Sequence, residues 1–146
     1  EYGKILDKFS SWSNANNLGQ INPTQCEIVY VNRIPLCDDG GVEQGLTYFF
    51  PWLSNLQPMT EDGLFQFRFP LVDDDGAPIA RLTFALNYGP VQSGKREARL
   101  ELLVRGRPRG NSQADILSFF DEGRKVIVNK FAEMTSAQAH KIWKKT

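Results

Sequence analysis

The 146-residue sequence has one histidine, His140, and two cysteines, Cys26 and Cys37. The first scarcity excludes metal sites built on two or more imidazoles. The second excludes the dense disulfide frameworks of small secreted domains. No apolar run approaches the ~18 residues that span a bilayer. There is no signal-peptide pattern and no Asn-x-Ser/Thr acceptor, because Pro23 disqualifies Asn22-Pro23-Thr24. Net charge is absent too: 17 Lys and Arg balance 17 Asp and Glu. A uniformly basic nucleic-acid binder and an acidic tail are thereby excluded. Two reduced thiols in a cytoplasmic protein are expected, with neither metal nor cofactor.

The chain does have an ordinary globular composition, 41% apolar and 23% charged, and length enough to bury the core of one domain over residues 1–146. Its zero charge is uneven. Residues 1–60 carry 6 acids and 3 bases, residues 61–92 carry 5 and 2, and residues 93–146 carry 6 and 12. Such asymmetry points to a partner surface, or to one half of the fold answering the other.

Local pattern predicts an α+β fold. Tyr2, Ile5, Leu6, Phe9 and Trp12 fall at helical spacing and end at the Asn-rich run 14–17. Cys26 to Ile34 is β-branched and apolar on both faces, which predicts a strand covered on both sides or central in its sheet. Residues 35–62 read as a long Gly-, Pro- and acid-rich excursion around Tyr48-Phe49-Phe50-Pro51-Trp52, with one short helix. Three alternating segments follow: Phe65 to Leu71, Leu82 to Leu86 and Leu100 to Val104. They predict an antiparallel meander with one buried face. Asp73-Asp74-Asp75-Gly76 is its first turn. Ser112 and Asp115 stand at capping-box spacing before a long amphipathic helix, and Thr135 and Gln138 repeat the spacing before a short last one. The expected architecture is an antiparallel sheet of about four strands, the meander plus the earlier strand, with helices on one face.

Two segments, Tyr30-Val31-Asn32-Arg33-Ile34 and the ending that carries Phe131, Thr135, His140 and Trp143, resemble a sporadically distributed family of uncharacterised prokaryotic conserved hypothetical proteins. The resemblance implies that this chain, which opens at Glu1 rather than Met, is the C-terminal half of a protein roughly twice its length. It marks Tyr30, Asn32, Arg33, His140 and Trp143 as motif residues and implies no activity. Members often carry a histidine on the penultimate helix, where this chain reads Asp121-Glu122-Gly123-Arg124, so no role for that residue carries over.

Catalytic patterns fall short. Gly89 to Arg96 has phosphate-loop spacing, but Arg96 replaces the magnesium-binding hydroxyl, Pro90 removes a backbone N–H, and the loop joins two strands. Ser112 matches a nucleophile elbow only in part, since the second glycine is missing and capping explains the serine. Asp73–Asp75 lacks the ligand spacing of a calcium loop. Tyr48, Phe49, Phe50 and Trp52 are candidates for a ligand pocket or partner contact, against a plug for the sheet end.

The polar side of the meander is the sharper candidate. By alternation Arg68, Arg81, Arg99 and Arg105 share one face with a single acid, Glu101, and Arg107 and Arg109 follow. The expectation is a non-catalytic interaction or regulatory domain that docks a protein partner, or a second copy, on this arginine face. The alternatives are a nucleic-acid binder using the same face, for which stacking aromatics are missing, and a small-molecule binder near the aromatic loop.

Overall fold

A computed structural model describes residues 2–19, 21–36, 46–55, 62–90 and 96–143. Helix α1 (Tyr2–Ala15) leads to strand β1 (Cys26–Leu36); a helical turn over 46–49 and a 3₁₀ turn at Pro51–Asn55 follow. Strands β2 (Gly63–Val72), β3 (Pro78–Pro90) and β4 (Arg96–Gly106) come next, then helices α2 (Gln113–Met134) and α3 (Ala137–Trp143). The strands make one antiparallel sheet in the order β1-β4-β3-β2. The architecture is α+β, with the meander β2–β3–β4 extended by β1. Cys37 and residues 91–95 of the β3–β4 connection, including Lys95, lie outside the described residues. The pairing of Pro90 with Arg96 nevertheless makes that connection a hairpin.

One expectation is overturned. β1 is not central and is not covered on both sides; it is an edge strand. The local alternation of a strand cannot distinguish edge from centre, since chain order does not state pairing order. Val29 and Val31 on its outer side remain 40% and 47% exposed.

Alternation places one row of side chains from each strand in the core. Across the two middle strands Leu82 opposes Val104, Phe84 opposes Leu102, and Leu86 opposes Leu100, all buried. Helix α2 lies over β1 and β4, held close by Gly123, where an added Cβ would stand 3.0 Å from Ile28 Cγ2 and 3.4 Å from Val104 Cγ1. The aromatic turn covers the β2–β3 side. Trp52 meets Phe65, Phe67 and Phe84 edge-on at ring separations of 5.7, 5.5 and 6.1 Å, and Phe50 and Leu53 are fully buried. Edge-to-face packing suits the ring quadrupoles.

The element ends follow from local chemistry. Asn17 turns α1 off at φ 57°, a conformation asparagine tolerates. Ser112 and Asp115 form the expected capping box at α2. The cap of α3 is shifted by one residue: Ser136, not Thr135, accepts from Ala139 N at 3.0 Å, and Thr135 caps the end of α2. In the β2–β3 turn, Asp73 Oδ1 accepts from Asp75 N and Ala77 N at 3.1 and 2.8 Å, and Gly76 supplies the positive φ of 80°.

Two stability measurements check these assignments. In urea unfolding, Trp52→Ala loses roughly 3 kcal/mol, as for other large-to-small aromatic changes, whereas Tyr48→Ala, at an exposed ring, changes stability by about 0.5 kcal/mol or less. Asp73→Ala removes the one oxygen that accepts both side-chain bonds of the turn and costs about 1 kcal/mol, while Asp74→Ala is near neutral.

Candidate functional site

Helices and the aromatic turn cover one face of the sheet; no described element covers the other. Register sets the composition of that outer face. β1 contributes Glu27, Val29, Val31 and Arg33; β4 contributes Glu97, Arg99, Glu101, Leu103 and Arg105; β3 contributes Arg81, Thr83 and Ala85; β2 contributes Gln66 and Arg68. Arg68, Arg81, Arg99 and Arg105 therefore share a face. Glu101 is not the only acid among them, because β1 adds Glu27 and the start of β4 adds Glu97. Alternation along β4 places Glu97 there once the strand is extended to Arg96, whereas Glu27 becomes a neighbour only through the β1–β4 pairing.

The arginines divide into two sets. Arg105 is held by Glu27, which stands directly opposite. Arg99 pairs with Glu101 at 2.9 Å and Arg33 with Glu97 at 3.6 Å. Arg109, beyond the strand, reaches Glu122 of α2 at 3.7 Å. These pairs are exposed, and such pairs contribute about 0–1 kcal/mol each. Arg68 donates to the neutral Gln66 at 3.2 Å. Arg81 and Arg107 have no ion-pair partner among the described residues. Arg81 also stands directly opposite Arg105, a like-charge arrangement that costs the free sheet energy.

Arg68, Arg81, Arg105 and Arg107 line one shallow depression of about 660 Å³ on this face, with Thr83, Leu103 and the acid Glu101 in the same lining. Arg107 also stands at the mouth of a second groove, of about 750 Å³, between α2 and the ends of β2 and β3. That groove is mainly aliphatic, lined by Leu71, Ala80, Phe119 and Val126. It exists because α2 runs over β1 and β4 and leaves the far corner of the inner face open. No local pattern signals it, since Leu71 and Phe119 look like ordinary core positions.

The other candidates are placed elsewhere. Phe49 and Phe50 are buried, Trp52 is spent on packing, and its Nε1 donates to Met134 O at 3.0 Å; Tyr48 alone of the four is exposed. The aromatic turn is a plug at this end of the sheet, packed solid. His140 belongs to the corner that clamps it. Thr135 Oγ1 donates to Phe131 O and stands 2.6 Å from His140 Nε2, so the imidazole donates there; the ring stacks on Phe131. Ser136 N donates to Phe49 O at 2.9 Å. Tyr30 and Asn32 face the core side, half-buried, and Arg33 faces outward. The Trp143 side chain lies outside the described residues.

The Ser112 and His140 that a nucleophile elbow would need are not brought together. Ser112 and His140 flank the two ends of α2, whose 22 residues separate them by about 33 Å at 1.5 Å per residue. Burial raises the pKa of the Cys26 thiol, which keeps it protonated and unreactive at neutral pH. Among the described residues, no three His, Cys, Asp or Glu side chains are grouped to hold a metal ion, and no helix is long and apolar enough to cross a membrane. No protein-family model matches the chain, and a search of curated proteins returns no match.

Proposed function

We propose that the chain is a non-catalytic docking domain that receives an acidic protein segment on the outer face of its sheet, at Arg68, Arg81, Arg105 and Arg107. The observation that carries this reading is the opposed pair Arg81 and Arg105, with Arg107 in the same depression beside Thr83 and Leu103. A carboxylate at Arg81, in the depression shared with Arg105 and Arg107, relieves the like-charge contact of Arg81 with Arg105 and gains the planar, two-point hydrogen bonding that arginine offers. Thr83, Leu103, Val29 and Val31 supply the apolar contact around it that protein interfaces use.

A protein segment is favoured over nucleic acid for two reasons. No aromatic side chain points outward from any of the four strands, so bases have nothing to stack on. Glu27, Glu97 and Glu101 interrupt the positive face, which leaves room for one or two carboxylates at the arginines unpaired among the described residues but not for the continuous phosphate row of a nucleic acid.

Fluorescence anisotropy with a labelled peptide of alternating Glu and Leu checks the proposal. Binding is expected, with a loss of at least about tenfold in the double variant Arg81→Glu, Arg107→Glu, whose circular dichroism stays unchanged. An alternating Lys–Leu peptide does not bind. Tighter binding of a 20-nucleotide single strand, falling steeply between low and moderate salt, overturns the reading in favour of nucleic acid. Absence of peptide binding overturns it outright.

A further inference from the structure

β1 has the composition of a strand with neighbours on both sides, yet it stands at an edge. From Cys26 to Ile34 it carries aliphatic residues on both faces, and among the described residues only β4 pairs with it. Every second residue therefore turns its N–H and C=O away from β4, with no strand partner among the described residues, a template for a further strand. The opposite edge is blunted, because β2 carries Pro70 and a register shift between Leu71 and Val72. β1 has neither device before Pro35.

We propose that β1 pairs antiparallel with β1 of a second copy of this chain, about a two-fold axis at Tyr30, to form one continuous eight-stranded sheet. An axis perpendicular to the sheet leaves every side chain on its own face, so some residue must stand opposite its own counterpart. When that residue is Tyr30, the order along β1 is self-complementary. On the outer face Glu27 meets the partner's Arg33, and Val29 meets the partner's Val31, each contact occurring twice. On the inner face the two Tyr30 rings meet, and Ile28 meets the partner's Asn32. The adjacent symmetric registers lose this match. An axis at Val31 sets Val29 against the partner's Arg33 and Glu27 against the partner's Pro35. An axis at Val29 sets Glu27 against the partner's Val31.

Charge within the single chain supports the same register. Arg33 stands directly opposite Arg99, with Glu97 its relief at 3.6 Å. Glu27 already holds Arg105. Across the joint Arg105, Glu27 and the partner's Arg33 alternate in sign, and the partner's Glu97 reaches that Arg33 diagonally, against the partner's Arg99 directly opposite it. The exposed Val29 and Val31 gain aliphatic neighbours.

Sedimentation velocity on the full 146-residue chain tests the pairing. The wild type sediments as a dimer, twice 16.5 kDa. Glu27→Arg alone, and Arg33→Glu alone, each place two like-charge contacts in the joint and weaken dimerisation by at least about tenfold. Both positions are exposed, so circular dichroism stays unchanged. An equimolar mixture of the two variants restores the dimer, because each introduced charge then meets its opposite. A wild type that stays monomeric at about 100 μM, a dimer insensitive to both substitutions, or a mixture that fails to recover overturns the proposal. The double variant Arg81→Glu, Arg107→Glu still dimerises, so the joint and the arginine-face reading fail separately.

Discussion

Burial of a single side-chain layer along β3 and β4 is the interaction on which the rest depends. Leu82, Phe84 and Leu86 face Val104, Leu102 and Leu100 in register, and each is removed from water almost completely. Full burial of such side chains contributes about 1.5–3 kcal/mol apiece before conformational entropy is deducted. Once they point inward, period-two geometry sends Arg81, Thr83, Arg99, Glu101, Leu103 and Arg105 the other way. The outer face is therefore a consequence of the core: no substitution can move one of these arginines inward without a register slip that exposes the phenylalanine and leucine row.

Cover for the core comes from two unrelated pieces of chain, and the C-terminal corner joins them. α2 lies over β1 and β4, and the aromatic turn lies over β2 and β3. The Trp52 bond to Met134 O and the Ser136 bond to Phe49 O link the end of the helix to the turn across more than 80 residues of sequence. Thr135 and His140 fix the backbone between α2 and α3 where both bonds are made. A histidine in such a corner is a packing and hydrogen-bonding group. Phe131, Thr135, Ser136 and His140 thereby acquire one shared physical role at the C-terminal end.

Much of the fold was legible because the deciding signals were local. Phe65, Phe67 and Phe69 against Gln66 and Arg68 declare a face regardless of what covers it, and Ser112 with Asp115 declares a helix start from four residues. Signals set by distant neighbours were not legible. Nothing within Cys26–Ile34 states that β4 is its neighbour on one side alone, so its two-sided apolar pattern read as central. Glu27 entered the arginine face only through the β1–β4 register, and Glu97 only because β4 begins at Arg96, earlier than its leucine pattern. α1 shows the same limit: Leu6 and Ser13 turn toward the protein, while Ile5, Phe9 and Trp12 of the predicted stripe stay exposed, because helical spacing identifies a stripe but not its occupant.

The balance of 17 acids and 17 bases resolves, on the sheet, into neutralised and unneutralised arginine. Where β1 contributes Glu27, and where β4 contributes Glu97 and Glu101, each arginine has a carboxylate within reach. Where β2 and β3 contribute only Gln66, Thr83 and Pro70, Arg68, Arg81 and Arg107 have none among the described residues. The two proposed contacts thus occupy opposite margins of one face and use different physics. The β1 margin offers backbone hydrogen bonds and alternating charge, which match a copy of itself. The β2–β3 margin offers cations without carboxylate partners among the described residues, beside Thr83 and Leu103, which match an acidic segment. Pairing at β1 would leave the second margin open in each copy and set two such sites on a single continuous sheet. A partner carrying two acidic segments would then bind with an effective concentration that neither site has alone.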